Sequence, residues 1–189
     1  MLLAMGLESL VRQALDYQAR YCEENVWRLL AHPVLEGRRA WAVIVSSEAG
    51  HFFALRQSAG RPTDGFVCWD YHVFAVCEEP DGQRWALDLD SELPFPCLFT
   101  HYLSETFVPL RHQPSAPLFR LIPAVDYVSG LASDRAHMRN PDGSYMAPPP
   151  PWPAPGNGKS SLRSWIDVTA SAPGLLLDLE SLCLFASTG

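Results

Sequence analysis

Leu7, Leu10, Val11, Ala14 and Leu15 recur three and four positions apart. That is the spacing of one helix face, and it predicts an amphipathic helix over 7–15. A second helical pattern runs over about 22–31, with Val26, Leu29 and Leu30 on one side. His32-Pro33 closes it, because a residue before proline avoids the α region. Residues 41–45 are short and β-branched and predict a strand. Residues 51–55 are expected to be its partner across a turn at 48–50. The longest strand candidate is 66–77. Val67, Trp69, Tyr71, Val73 and Ala75 fall on one face, and Phe66, Cys68, Asp70, His72, Phe74 and Val76 on the other. Both faces are largely apolar, which places this strand in the middle of a sheet. Pro80-Asp81-Gly82 is a hairpin turn, and 83–90 is the returning strand.

Further along, Leu93-Pro94-Phe95-Pro96 cannot continue a regular element, since two prolines remove two backbone donors. Residues 97–108 are expected to be helical, 118–123 a strand, and 126–138 a helix starting at Val125-Asp126. Seven of the chain's 17 prolines lie between Pro141 and Pro155, four of them consecutive at 148–151. The segment 141–158 is therefore an extended, polyproline-like surface loop with Trp152 as an anchor. Docking of a proline-reading partner is the sharper alternative for it. Residues 161–166 read as a helical turn, and 175–185 mix helix and strand signals.

The turn at Pro80 has a chemical consequence. A hairpin centred there puts His72 directly opposite Asp88 on one face, with Cβ atoms roughly 4.5–5.5 Å apart. A carboxylate that holds one imidazole nitrogen leaves the other free to act as a base. Cys22 stands where the second helix begins, and a helix N-terminus lowers a thiol pKa. Glu23 and Glu24 oppose that effect. Thiol, imidazole and carboxylate in these positions fit nucleophile, base and orienting group. The plainer reading makes Cys22 a small core residue, His72 a satisfied core histidine, and Asp88 and Asp90 turn caps. Metal binding is a competing chemistry: Cys68, His72 and Cys77, or Cys97 with His101, offer soft ligands. No CxxC pair supports it.

Composition narrows these choices. The 189 residues suit a single domain. The formal charge of −7 disfavours nucleic acid, whose backbone selects Lys and Arg. Five cysteines at irregular spacing cannot all pair, which suggests free thiols in a reducing compartment. Met1-Leu2-Leu3-Ala4-Met5 is apolar but follows no basic stretch and is interrupted by Glu8, so no export leader is expected. The expectation is a monomeric protein of the cytoplasm or nucleus, with no membrane partner. No glycine-rich phosphate loop is present.

Several ordered blocks resemble one family. They are Tyr21-Cys22-Glu23-Glu24-Asn25, Trp69-Asp70-Tyr71-His72-Val73, Asp88-Leu89-Asp90 and Leu93-Pro94-Phe95-Pro96-Cys97. Phe99, Ala132-Ser133-Asp134-Arg135, His137-Met138 and the Pro148–Pro151 run belong to the same pattern. Over roughly residues 20–153 the chain resembles the protein N-terminal glutamine amidohydrolases. The resemblance implies a single α+β domain over 1–189. Its central antiparallel sheet would be flanked by helices, in the manner of transglutaminase- and papain-like cysteine hydrolases. It implies a triad of Cys22, His72 and Asp88, with no cofactor and no metal. The implied reaction deamidates an N-terminal glutamine side chain to glutamate and ammonia. In that family's pathway the product is arginylated by a separate enzyme and marks the protein for degradation. Selectivity for a chain terminus needs acceptors for the α-ammonium. Glu24, Asp70 and Asp134 are the candidates, and Ser46, Ser47 and Glu48 form another candidate rim. Trp69 and Tyr71, on the face opposite His72, are expected in the core. A related thiol acyltransferase or peptidase, and a non-catalytic module that binds N-termini, are the alternatives.

Overall fold

A computed structural model describes residues 6–157 and 159–188. The first five residues, and with them the apolar start of the chain, lie outside that range. β1 (Arg39–Ser46), β4 (His72–Glu78) and β7 (Leu118–Pro123) form the middle of a six-stranded sheet. With β5 (Arg84–Leu87), β6 (Cys97–Leu98) and β8 (Leu175–Leu177), the strand order is β6-β5-β4-β1-β7-β8. Every neighbouring pair is antiparallel. β1 and β4 are apolar on both faces because both faces are covered. Ala42, Ile44, Val73, Ala75 and Leu87 pack on one side, against α1 (Cys22–Leu30) and α3 (Ala124–Gly130). Val43, Val45, Phe74, Val76 and Ala86 pack on the other, against α2 (Phe99–Thr106) and α5 (Leu179–Ser187). The result is one α+β domain with a sheet between two helical layers.

Three expectations need correction. The segment 51–55 does not pair with β1. Its strand, β2 (Phe52–Ala54), pairs with β3 (Val67–Trp69) in a separate two-stranded sheet. The reason is that β4 and β7 already occupy both edges of β1. The single strand expected over 66–77 is two strands, β3 and β4, broken at Asp70-Tyr71. The helix expected over 7–15 is a pair of 3₁₀ turns, Leu7–Ser9 and Arg12–Ala14. Leu7 and Leu10 are buried, but Val11 is 54% exposed. Arg12 reaches out to the carbonyls of Ser91 and Leu93, so distant polar anchors override local periodicity.

Elsewhere the pattern holds with adjusted ends. α1 starts at Cys22, has Glu23 and Glu24 in its first turn and Arg28 in its last, and stops before His32-Pro33. The stretch 97–108 is a two-residue strand followed by α2. The helix expected over 126–138 stops at Gly130, and Ala136–Met138 forms only a 3₁₀ turn. Residues 161–166 give a short helix, α4 (Leu162–Ile166). The mixed signals of 175–185 resolve into β8 followed by α5. No described helix is long and apolar enough to cross a membrane.

Candidate active site

Cys22 is the first residue of α1 and His72 the first of β4, and both line one cleft of about 960 Å³. α1 packs on β4, and the Val73 backbone hydrogen-bonds to the Cys22 thiol. The helix start and the strand start are thus brought to the same point. His72 is buried, and its Nε2 lies 3.1 Å from Asp88 Oδ1. Among the described residues no hydrogen bond occupies its Nδ1. The hairpin ladder is centred on Asp81, one residue later than expected, and ends at the Ala75–Leu87 pair. Asp88 therefore sits just past the ladder and meets His72 diagonally rather than directly opposite. The carboxylate–imidazole contact survives the register change because both side chains stay on the same face.

Asp88 is saturated. Oδ1 also accepts the Asp90 N–H at 3.0 Å, and Oδ2 accepts Gln57 Nε2 at 3.0 Å and the Tyr102 hydroxyl at 2.8 Å. Burial pushes the Asp88 pKa up, but His72 and the donors outweigh it, and the carboxyl lies below its ordinary value. Burial pushes His72 down, and Asp88 more than compensates, so the imidazole lies above its ordinary value. Cys22 is different. Burial, then Glu23 and Asp90, raise its thiol well above the ordinary value, and the Val73 hydrogen bond only partly opposes them. The helix start alone does not make this thiol acidic.

The break at Asp70-Tyr71 changes which side chains see the cleft. Asp70 Oδ1 accepts the Tyr71 N–H at 2.9 Å, and the strand alternation is interrupted there. Trp69 and Tyr71 consequently line the cleft while also packing against the two apolar cores. Trp69 stacks on His72 with ring centroids 5.6 Å apart and planes 13° apart. Tyr71 donates to Glu23 Oε2 at 3.1 Å.

The candidate substrate-binding residues separate. Ser47, Asp70 and Asp134 line the cleft, as does Ser46. Glu24 does not. It is fully buried, accepts both arms of the Arg135 guanidinium at 2.8 and 2.7 Å, and accepts Trp152 Nε1 at 3.0 Å. Arg135 also donates to the carbonyls of Pro150 and Trp152, so Glu24 anchors the proline-rich loop to α1. Glu48 is exposed and off the cleft wall. Gln57 and Tyr102 were not anticipated, and His137 was singled out only as part of the His137-Met138 block. Gln57 and Tyr102 hold Asp88 from distant parts of the chain, and no spacing rule links them to it.

The set of Cys68, His72 and Cys77 is not gathered among the described residues. The group that does come within 4.8 Å is His72, Asp88 and Asp90. Two of its three members are already hydrogen-bonded to each other. All five cysteines are free.

A family model described as N-terminal glutamine amidase matches residues 17–186, well beyond the blocks at 20–153. A protein N-terminal glutamine amidohydrolase of Homo sapiens is 38% identical over 165 residues, 83% of this chain and 80% of that protein. Proteins of the same name from Drosophila ananassae and Drosophila virilis are 43% identical over 145 residues, 73% of this chain and 70% of theirs.

Proposed function

The chain belongs to the N-terminal glutamine amidase family, whose members are amide hydrolases, and from that premise we propose that it deamidates N-terminal glutamine. The substrate is a protein or peptide beginning with Gln; the products are N-terminal glutamate and ammonia. The observation that carries this reading is one cleft holding a helix-start thiol and an imidazole fixed by a buried carboxylate.

His72 Nδ1 takes the Cys22 proton as Sγ attacks the side-chain carboxamide carbon. The backbone N–H at the start of α1 stabilises the oxyanion. The tetrahedral intermediate collapses, His72 returns the proton to nitrogen, and ammonia leaves a thioester on Cys22. His72, held by Asp88 through Nε2, then activates water, which releases the γ-carboxylate and restores the thiol. Because the resting thiol is held neutral, proton transfer to His72 accompanies the attack rather than preceding it. Trp69 covers one face of the imidazole and limits its swing.

Asp70 and Asp134, with Ser47, supply the acceptors for the α-ammonium, a role closed to Glu24 by its bonds to Arg135 and Trp152. A helix-borne thiol beside a histidine and carboxylate from antiparallel strands fits the transglutaminase- and papain-like hydrolases. The chemistry needs no cofactor or metal. The free thiols and acidic charge favour a monomeric enzyme of the cytoplasm or nucleus that does not bind nucleic acid.

Three peptides test the reaction, one beginning with Gln, one with Asn and one with Gln only internally. Ammonia and a one-unit mass gain are expected on the first alone, and Cys22→Ala is expected to abolish both. Unchanged turnover in that variant would remove Cys22 as nucleophile. Amine incorporation or chain cleavage would instead identify an acyltransferase or a peptidase.

A further inference from the structure

Glu23 is the unexplained neighbour of the thiol. Its side chain is fully buried, immediately after Cys22 in the first turn of α1. Oε2 lies 3.8 Å from Cys22 Sγ, within reach of an S–H···O hydrogen bond, and 3.1 Å from the Tyr71 hydroxyl. Among the described residues Oε1 has no hydrogen-bond partner; it lies 3.4 Å from His137 Nε2, in ion-pair range but not in bonding geometry. A buried carboxylate oxygen left in this condition is costly. It also works against the nucleophile, since a negative charge beside a thiol disfavours the thiolate. Glu24 is explained by Arg135 and Trp152, whereas among the described residues the cationic partner within reach of Glu23 is the His137 imidazole, which burial pushes down and Glu23 raises above its ordinary value. What it does have is contact with three cleft-lining side chains: Cys22, Tyr71 and His137.

Glu23 itself offers no surface to the cleft, so it acts only through those three groups. We propose that Glu23 is a positioning residue of the proposed deamidation site. It accepts the Cys22 thiol hydrogen, keeps the free enzyme's nucleophile protonated and aligned, and leaves activation to His72 once substrate is bound. In the free enzyme the S–H points to Glu23 Oε2. When a carboxamide enters, the same hydrogen is passed to His72 Nδ1 as sulfur bonds to carbon. Tyr71 tunes the arrangement by donating to the oxygen that the thiol also uses. The ionisable groups around Cys22 are Glu23 on its own helix, Asp88 and Asp90 after β5, and His72 at the start of β4. Tyr17, Tyr71 and Tyr127 also stand close enough to feel the thiol's charge. Of these, Glu23 comes after burial as the largest influence on the thiol, and its effect is to hold the proton on.

The role rests on the deamidation reading, but its test does not require turnover. Alkylation of Cys22 by iodoacetamide, with mass spectrometry of the Cys22 peptide, reads thiolate reactivity directly. Glu23→Gln preserves shape and removes the charge. It is expected to speed alkylation at neutral pH by about threefold or more, since a lower thiol pKa exposes more thiolate. The alkylation–pH profile should shift toward acid, while kcat for a Gln-initiated peptide should fall. Tyr71→Phe leaves Glu23 with one donor fewer and is expected to slow alkylation, a change opposite in sign. The two variants together keep the test decisive should one of them fold poorly. Alkylation unchanged in Glu23→Gln, or alkylation and deamidation rising together, would overturn the proposal. Wild-type protein that alkylates normally but never deamidates a Gln peptide would instead overturn the function reading alone.

Discussion

Asp88 shows how much support one buried carboxylate requires. Four donors surround it, and only His72 belongs to the proposed reaction. The pair has a pH signature whose sign can be worked out. His72 is raised, so its share of stability is present below the unfolded histidine value of about 6.5 and is lost as pH rises through the folded value. Asp88 is lowered, so its share is present above about 3.9 and is lost as pH falls through the folded value. Asp88→Asn should therefore cost most stability between about pH 4 and 6.5, and less above that window. Urea unfolding at several pH values measures this. In the same variant burial is left to push the imidazole down, so the acid limb of kcat/KM should move to lower pH. Activity should fall about 10²–10⁴-fold. The three residues of the proposed triad were singled out in the sequence because each stands at a recognisable place, a helix start or a hairpin. Gln57, Tyr102 and the divergence of Glu23 from Glu24 were not, because they depend on which way neighbouring side chains point in three dimensions.

The elements were legible where a segment's own pattern decides its structure. β7 runs over the expected residues, and α1 ends one residue early. Errors arose where a distant segment decides. β2 is displaced to β3 because β1 has no free edge. The 66–77 strand breaks because Asp70 caps Tyr71, and that break sends Trp69 and Tyr71 into the cleft. α4 depends on a similar long-range contact. Buried Arg120 of β7 donates to the carbonyls of Trp165 and Asp167 at 3.0 Å, and to Ala170 and Ala172 at 3.5 Å. Ser46 adds a bond to the Ile166 carbonyl at 2.7 Å. Arg120→Met should strand these acceptors, costing about 1–3 kcal/mol for each one left buried and unpaired. Amide exchange in 165–172 should accelerate while β1 and β4 stay protected. Ile166 and Arg163 line the cleft, so KM should rise more than kcat falls. Unchanged exchange would show that apolar packing of Trp165 suffices.

The whole molecule hangs on four strands. β1, β4, β5 and β7 contribute side chains to both cores, so neither helical layer can lose its packing without exposing the sheet's other face. Tryptophan fluorescence and far-ultraviolet circular dichroism should therefore report one coincident unfolding transition in urea. Two separated transitions would mean that the layers unfold independently. Function also belongs to this scale, since the thiol comes with one layer's helix and the imidazole with the sheet between the layers.

The clamp of Arg135 between Glu24 and the proline-rich loop has a consequence for redesign. The residues that bound the cleft near Asp134 and His137 hang from a segment that supplies no reacting atom. That segment is fastened to the helix that begins at Cys22, the proposed nucleophile. Exchanging residues 141–145, while keeping Arg135, Glu24, Trp152 and the Ala147 carbonyl that Tyr21 bonds, would leave the scaffold of the proposed reaction centre in place. Recognition of the second and later substrate residues could then be re-engineered as a module separate from the chemistry.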